Sequence, residues 1–212
     1  YNPLNNNTGF VLCIFTNNTA GYNGGAVDWH AGATHGYIED CTFTNNTAKR
    51  SGGAVHWSGH YGSISNSTFT GNNATGDVIS TIGGVTGGGD GGAVVWIGSH
   101  GIINNNSNFT NNFAKYRGGA VFLHGNSTEN CDNTTVTNTN FKDNVAGLNG
   151  GAIDWHANSK NGRIADSTFT NNTANRSGGA VHWSGHYGTI THSNFTGNKA
   201  LGEVNSTIGG VN

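Results

Sequence analysis

The sequence predicts an all-β fold, a single-stranded parallel β-helix (a β-solenoid) of about seven coils with three short strands per coil. Three observations carry this. A Phe is followed three residues later by Asn seven times, at Phe15, Phe43, Phe69, Phe109, Phe141, Phe169 and Phe195. A Gly-Gly-Ala triplet starts at Gly24, Gly52, Gly91, Gly118, Gly150 and Gly178, nine residues after the Phe in five units. Short β-branched or aromatic runs are punctuated by Gly, Asn and Ser, and no stretch sustains a helical period. A spacing that returns every 26 to 40 residues is one structural unit stacked on itself.

Each unit offers three apolar stations. The first is an aliphatic residue five or six places before the Phe: Ile38, Ile64, Ile103, Val136, Ile164 and Ile190, with Phe10 opening the series. The second is the Phe itself. The third follows Gly-Gly-Ala, where Val27, Val55, Val94, Val121, Ile153 and Val181 stand two residues before Trp29, Trp57, Trp96, Leu123, Trp155 and Trp183. A separation of two puts both members on one face of a strand, and the residues between them (Asp28, His56, Val95, Phe122, Asp154, His182) point outward. Seven coils at ~4.8 Å each would make a rod of about 34 Å.

Corners separate the stations. Asn18, Asn46, Asn72, Asn112, Asn144, Asn172 and Asn198 stand three places after the Phe in all seven units, so a structural Asn ladder is expected there, each amide bonding to backbone and to the Asn above and below. The residue before it varies (Asn17, Asn45, Gly71, Asn111, Asp143, Asn171, Gly197) and is expected to face solvent. Gly-Gly supplies the next corner, where positive φ is expected.

A longer period lies above the coil. Residues 15–86 align without gaps to 141–212, an offset of 126, with 50 identities in 72 pairs, and SGGAVHWSGHYG recurs unchanged at 51–62 and 177–188. The expected organisation is one continuous β-helix over 1–212 within a longer tandem array. Loop insertions are expected near 76–89, where 13 extra residues delay the Gly-Gly-Ala, and from 202. Such insertions become loops on one side of a solenoid and are either binding elements or inert bulges.

Only 9% of residues are charged, and nine Lys and Arg at a net charge of −2 leave no basic patch for nucleic acid. No apolar run reaches the ~20 residues of a membrane helix. Cys13 and Cys41 each lie two residues before a Phe and are replaced by Thr139 and Ser167 in the later copy, so they read either as a disulfide between stacked coils or as a pair of buried thiols. Cys131 has no equivalent.

The Phe-x-x-Asn and Gly-Gly-Ala-Val/Ile pair, over roughly residues 10–200, resembles the repeats of chlamydial polymorphic outer membrane proteins and of the adhesin-like surface proteins of methanogenic archaea. The resemblance implies a secreted, right-handed parallel β-helix displayed on a cell surface for attachment or as part of a coat. It carries over no catalytic residue.

Residues that can bear chemistry are few. Asn-x-Ser/Thr acceptors begin at Asn6, Asn17, Asn45, Asn66, Asn73, Asn105, Asn108, Asn126, Asn133, Asn171, Asn194 and Asn205, with Asn17, Asn45 and Asn171 at the solvent-facing corner. Asp28 lies one coil from His56, and Asp154 from His182, which reads as a surface ion pair before a general base. His56 with His60, and His182 with His186, lack the helical setting that would make i, i+4 spacing a metal site, and the single Gly-Asp-Gly run at 87–92 falls short of a calcium-binding repeat. The Trp column reads as core before a sugar platform, and Asn108, Asn140 and Lys142 break the Thr pairs that flank Phe43, Phe69 and Phe169.

The expected function is therefore a non-enzymatic, extracellular, adhesin-like stalk or fibre bearing N-glycans, with no cofactor and no metal. Its expected partners are adjoining repeats or further copies end to end, and cell-surface glycans. The alternatives are a self-assembling filament subunit and a carbohydrate-binding or carbohydrate-active β-helix.

Overall fold

A computed structural model describes residues 8–30, 32–78, 80–82, 85–125 and 131–202. The chain winds as a parallel β-solenoid of about six turns, with no helix among the described residues. The second coil serves as the template. Its strands are Tyr37–Glu39, Thr42–Thr44, Thr47–Ala48 and Val55–Trp57. The equivalents of these strands stack into four parallel sheets, numbered here one to four in chain order, of seven, seven, seven and six strands. Sheets one, two and four are built on the three predicted apolar stations.

Sheet three is an addition to the expected three strands. Its strands are two residues long and follow the ladder Asn directly, as in Thr47–Ala48 and Asn73–Ala74. Each offers the interior a single Ala, and Ala48, Ala74, Ala114, Ala146 and Ala174 are fully buried. So short a strand has no alternation from which a sequence reading can recognise it.

Register is kept throughout: Phe15 pairs with Phe43, Phe43 with Phe69, Phe69 with Phe109, and so on to Phe195. Because strands lie ~4.8 Å apart, like side chains meet face to face. The Phe rings accordingly stack at 4.6–5.0 Å with planes within 12° of parallel. The Trp column does the same, broken once where Leu123 lies between Trp96 and Trp155.

That break shows how the column is accommodated. A Cβ built on Gly36, Gly62, Gly101, Gly162 or Gly188 would lie within 2.4 Å of the indole of its own coil. Where Leu123 replaces Trp, the residue in the glycine's place is Thr134, buried and free of that constraint. The buried Cys131 joins the same core.

Four corners turn each coil, and each uses a residue at positive φ. Corner two holds the variable residue before the ladder Asn, from Asn17 (57°) to Gly197 (67°), which explains its restriction to Asn, Asp and Gly. Corner three holds the first glycine of Gly-Gly-Ala, at 57–68°. The second glycine is required for a different reason: a Cβ on Gly53, Gly92 or Gly119 would fall 2.0 Å from a carbonyl oxygen of the next coil. Corners one and four hold non-glycine residues, including Leu12, His192, Tyr61 and Tyr187.

The insertion near 76–89 leaves the stack as an antiparallel hairpin, Ser80–Ile82 with Val85–Gly87. Its base is tied down by Val78 N–H donating to the Lys49 carbonyl at 2.9 Å and by Gly89 N–H donating to that of Arg50. The insertion expected from 202 lies outside the described residues.

Candidate functional surfaces

Two polar ladders run the length of the rod. In the first, the Oδ1 of each Asn accepts both the N–H and the Nδ2 of the Asn one coil earlier, at 2.8–3.0 Å, through six steps from Asn18 to Asn198. Each Nδ2 from Asn46 onward also donates back to the carbonyl of the preceding coil's Phe. The backbone N–H fixes the amide's orientation, because only Oδ1 can receive it.

The second ladder lies two residues before the Phe, where Cys13, Cys41, Ser67, Ser107, Thr139, Ser167 and Ser193 stand. The N–H of Cys41 donates to Ser67 Oγ, that of Ser67 to Ser107 Oγ, and that of Ser167 to Ser193 Oγ, at 3.1–3.3 Å. Each hydroxyl gives its proton to a carbonyl two or three residues back. The thiols follow suit: Cys13 N–H meets Cys41 Sγ at 3.4 Å, and Cys41 Sγ lies 3.1 Å from the Glu39 carbonyl. Both cysteines are free thiols in this structure, as is the buried Cys131, whose thiol burial pushes up to about 12. The run Cys, Cys, Ser, Ser, Thr, Ser, Ser was the sequence signal for this ladder.

Nine of the twelve glycosylation acceptors are described; Asn6, Asn126 and Asn205 lie outside the described residues. Asn17, Asn45 and Asn171 are exposed at corner two. The Oδ1 atoms of Asn45 and Asn171 rest over Gly71 and Gly197, where a Cβ would collide with them. Elsewhere the nitrogen that would carry a glycan is engaged: Asn66 Nδ2 with Asp40, Asn108 Nδ2 with the Asn106 carbonyl, and Asn133 Nδ2 with His100. Asn105 and Asn194 are exposed, and Asn73 is half-buried.

The outward positions of sheet four are not uniformly solvated. Asp28 is partly exposed and pairs with His56 at 2.9 Å; the hydrogen bond from His56 holds its carboxyl below the ordinary value. Val95, Phe122 and Asp154 are buried. Arg117 lies 4.8 Å above the Phe122 ring and makes a two-pronged bond to the buried Asp90, at 2.9 and 3.1 Å. Burial pushes Asp90 up, and the Arg117 charge opposes that push. Asp154 approaches His182 Nδ1 at 3.3 Å without hydrogen-bond alignment, so both its oxygens lack a donor among the described residues. Burial depresses His124 to about 4 and lowers His156, the two rings meeting edge to face at 5.4 Å. No nucleophile stands in this group. Sequence reasoning missed this group because it joins a corner-three arginine to residues of two other coils.

The remaining candidates resolve simply. Trp57, Trp96 and Trp155 are fully buried, so these indoles are core and not a sugar platform. No group of three or more His, Cys, Asp or Glu among the described residues is placed to hold a metal ion. No helix among them is long and apolar enough to cross a membrane.

A family model for the Chlamydia polymorphic membrane protein repeat matches residues 12–28, 40–56 and 166–182. Each match runs from just before the Phe, through the ladder Asn and Gly-Gly-Ala, into the following strand. No curated protein and no solved structure matches the chain. The matched segments fall in coils one, two and six, and each spans corners one to three with its ladder Asn, so these three segments are similar to the Chlamydia polymorphic membrane protein repeat.

Proposed function

We propose that this chain is a segment of a non-enzymatic, cell-surface, adhesin-like stalk, within a longer array of the same coils. One observation carries the reading: the chain's polar chemistry is spent on internal ladders that keep coils in register, while what faces outward is a repeating Asn/Thr/Gly surface. The repeat type matched by the family model supports surface display. In this reading Asn17, Asn45 and Asn171 bear N-glycans, since each of these residues is exposed and its amide nitrogen donates to no partner among the described residues, while those of Asn66, Asn108 and Asn133 donate elsewhere. Immunogold labelling of intact source cells tests the display. Label on the outer surface is the expected result, and label confined to sectioned or permeabilised cells overturns it. Glycopeptide mass spectrometry of native material tests the three acceptors.

A further inference from the structure

The outer face of sheet four is closed where its outward residue is large and apolar. Phe122 sits between Val95 and Asp154 in register, outside the core, yet it is only 3% exposed. Three side chains cover it. The Arg117 guanidinium lies 4.8 Å from the ring centroid, His124 stacks on the ring at 5.4 Å with planes 19° apart, and His156 meets it at 5.8 Å and 64°. All three can carry positive charge, and the two imidazoles also face each other at 5.4 Å. The anions in reach are largely committed. Asp90 is held by both prongs of Arg117, and Asp154 faces His156 and, at 3.3 Å, His182. His56, on the far side of Val95, is paired with Asp28.

We propose that Arg117, His124 and His156 form an acid-released cover over Phe122, shut while both imidazoles are neutral and lifted when they take up protons, so that in acid the rod shows an apolar patch of Phe122 and Val95 on its flank. Two charged imidazoles so deeply buried would lie beside Arg117 and beside each other, with desolvation and like-charge repulsion both against them. Burial is the first cause that depresses His124 to about 4, followed by His156 and Arg117. Burial and then Arg117 also lower His156, and the opposing pull of Asp154 is smaller. The covered form therefore binds fewer protons than the lifted one. It is stable above the ordinary imidazole value of 6.5 and is lost as pH falls from there towards 4. Cation–π attraction of an imidazolium for Phe122 works against release, but the guanidinium already lies over that ring. Release stays local. Neither Nδ1 has a partner among the described residues, so swinging the rings outward breaks no bond there. The strand beneath keeps its register on both sides, and the bonds from His124 N–H to the Trp96 carbonyl and from His156 N–H to the Leu123 carbonyl do not involve the rings.

Nile red, a neutral apolar dye, reports the patch, and Trp emission reports the core, because Trp57, Trp96 and Trp155 are fully buried. In the wild-type chain dye fluorescence should rise between pH 6.5 and 4 while Trp emission stays put, and it should reverse on neutralisation. The lifted fraction should grow by up to about tenfold per pH unit for each imidazole that takes up a proton. His124→Gln with His156→Gln should abolish the rise. Phe122→Ala, with both imidazoles kept, should lose most of the dye signal. A flat response in the wild-type chain, or an unchanged rise in the double Gln variant, overturns the proposal. So does a rise that comes only together with a red shift of Trp emission, since the chain is then unfolding as a whole. Should the double Gln variant fail to fold, Phe122→Ala decides: a signal equal to wild type puts the dye elsewhere and overturns the cover.

Discussion

Truncating a ladder Asn should cost far more inside the rod than at its end, and the structure sets the size of the difference. Asn112→Ala removes the acceptor of the Asn72 N–H and Nδ2, and the donor to both Asn144 Oδ1 and the Phe69 carbonyl. Asn72 Nδ2 keeps the Phe43 carbonyl and Asn144 Oδ1 keeps the Asn112 N–H. The Asn72 N–H is therefore left without a partner, while the Phe69 carbonyl keeps the parallel-ladder N–H of Thr110. A buried group without a partner costs about 1–3 kcal/mol, so the variant should lose about that much. Asn18→Ala removes one donor to Asn46 Oδ1 at an exposed site, and that oxygen keeps the Asn18 N–H, so the loss should stay under about 1 kcal/mol. Asn112→Asp should be worse than Ala at neutral pH, because a carboxylate oxygen replaces the donor that faces two other acceptors. Urea unfolding followed by Trp fluorescence measures all three. Equal losses at Asn18 and Asn112, or an Asp variant as stable as wild type, would refute the ladder as a source of stability.

Other outcomes follow from the same contacts. Gly162→Ala drives a Cβ to 2.3 Å from the Trp155 indole and should destabilise by about 1–3 kcal/mol; Trp155→Leu with Gly162→Thr, the pairing found at Leu123 and Thr134, should recover part of the combined loss in a double-mutant cycle. Stability should fall on acidification from pH 6.5 to about 4, because burial depresses His124 in the folded chain and the unfolded chain takes up the proton first. The loss reaches about 3 kcal/mol over that window, and His124→Gln should flatten the slope in pH-dependent melts. Cys13→Ser with Cys41→Ser should change stability by less than about 1 kcal/mol and reductant should leave Tm unmoved, since Ser holds the same ladder place in four other coils. A loss of about 2–4 kcal/mol on reduction would instead reveal a disulfide in the native protein.

The interior columns were legible because stacking in register makes repetition a direct record of burial: a residue type that returns at fixed phase must fill the same place. That logic found the Phe, Trp and aliphatic columns, and it placed the ladder Asn apart from its variable neighbour. It failed where the repeated property is conformational. Leu12, Asp40, Asn66 and His192 share a positive φ at corner one but no side-chain chemistry. The strands of sheet three were invisible for a related reason, since one inward Ala beside Thr, Asn, Phe, Val or Lys makes no pattern. The burial of Asp154 and Phe122 was beyond reach as well, because it goes with an Arg117 that covers the Phe122 ring of its own coil while pairing with Asp90 of the preceding one.

The central claim is that successive coils lie in register, one strand spacing apart. Spin labels at Thr16→Cys and Thr196→Cys, in the Cys13→Ser/Cys41→Ser chain diluted with unlabelled protein, test it most directly by pulsed electron spin resonance. Six strand steps separate these positions along one sheet, so a narrow distance distribution centred at about 29 Å plus the label linkers is the predicted result. A separation beyond about 45 Å, or a broad unstructured distribution, would contradict it.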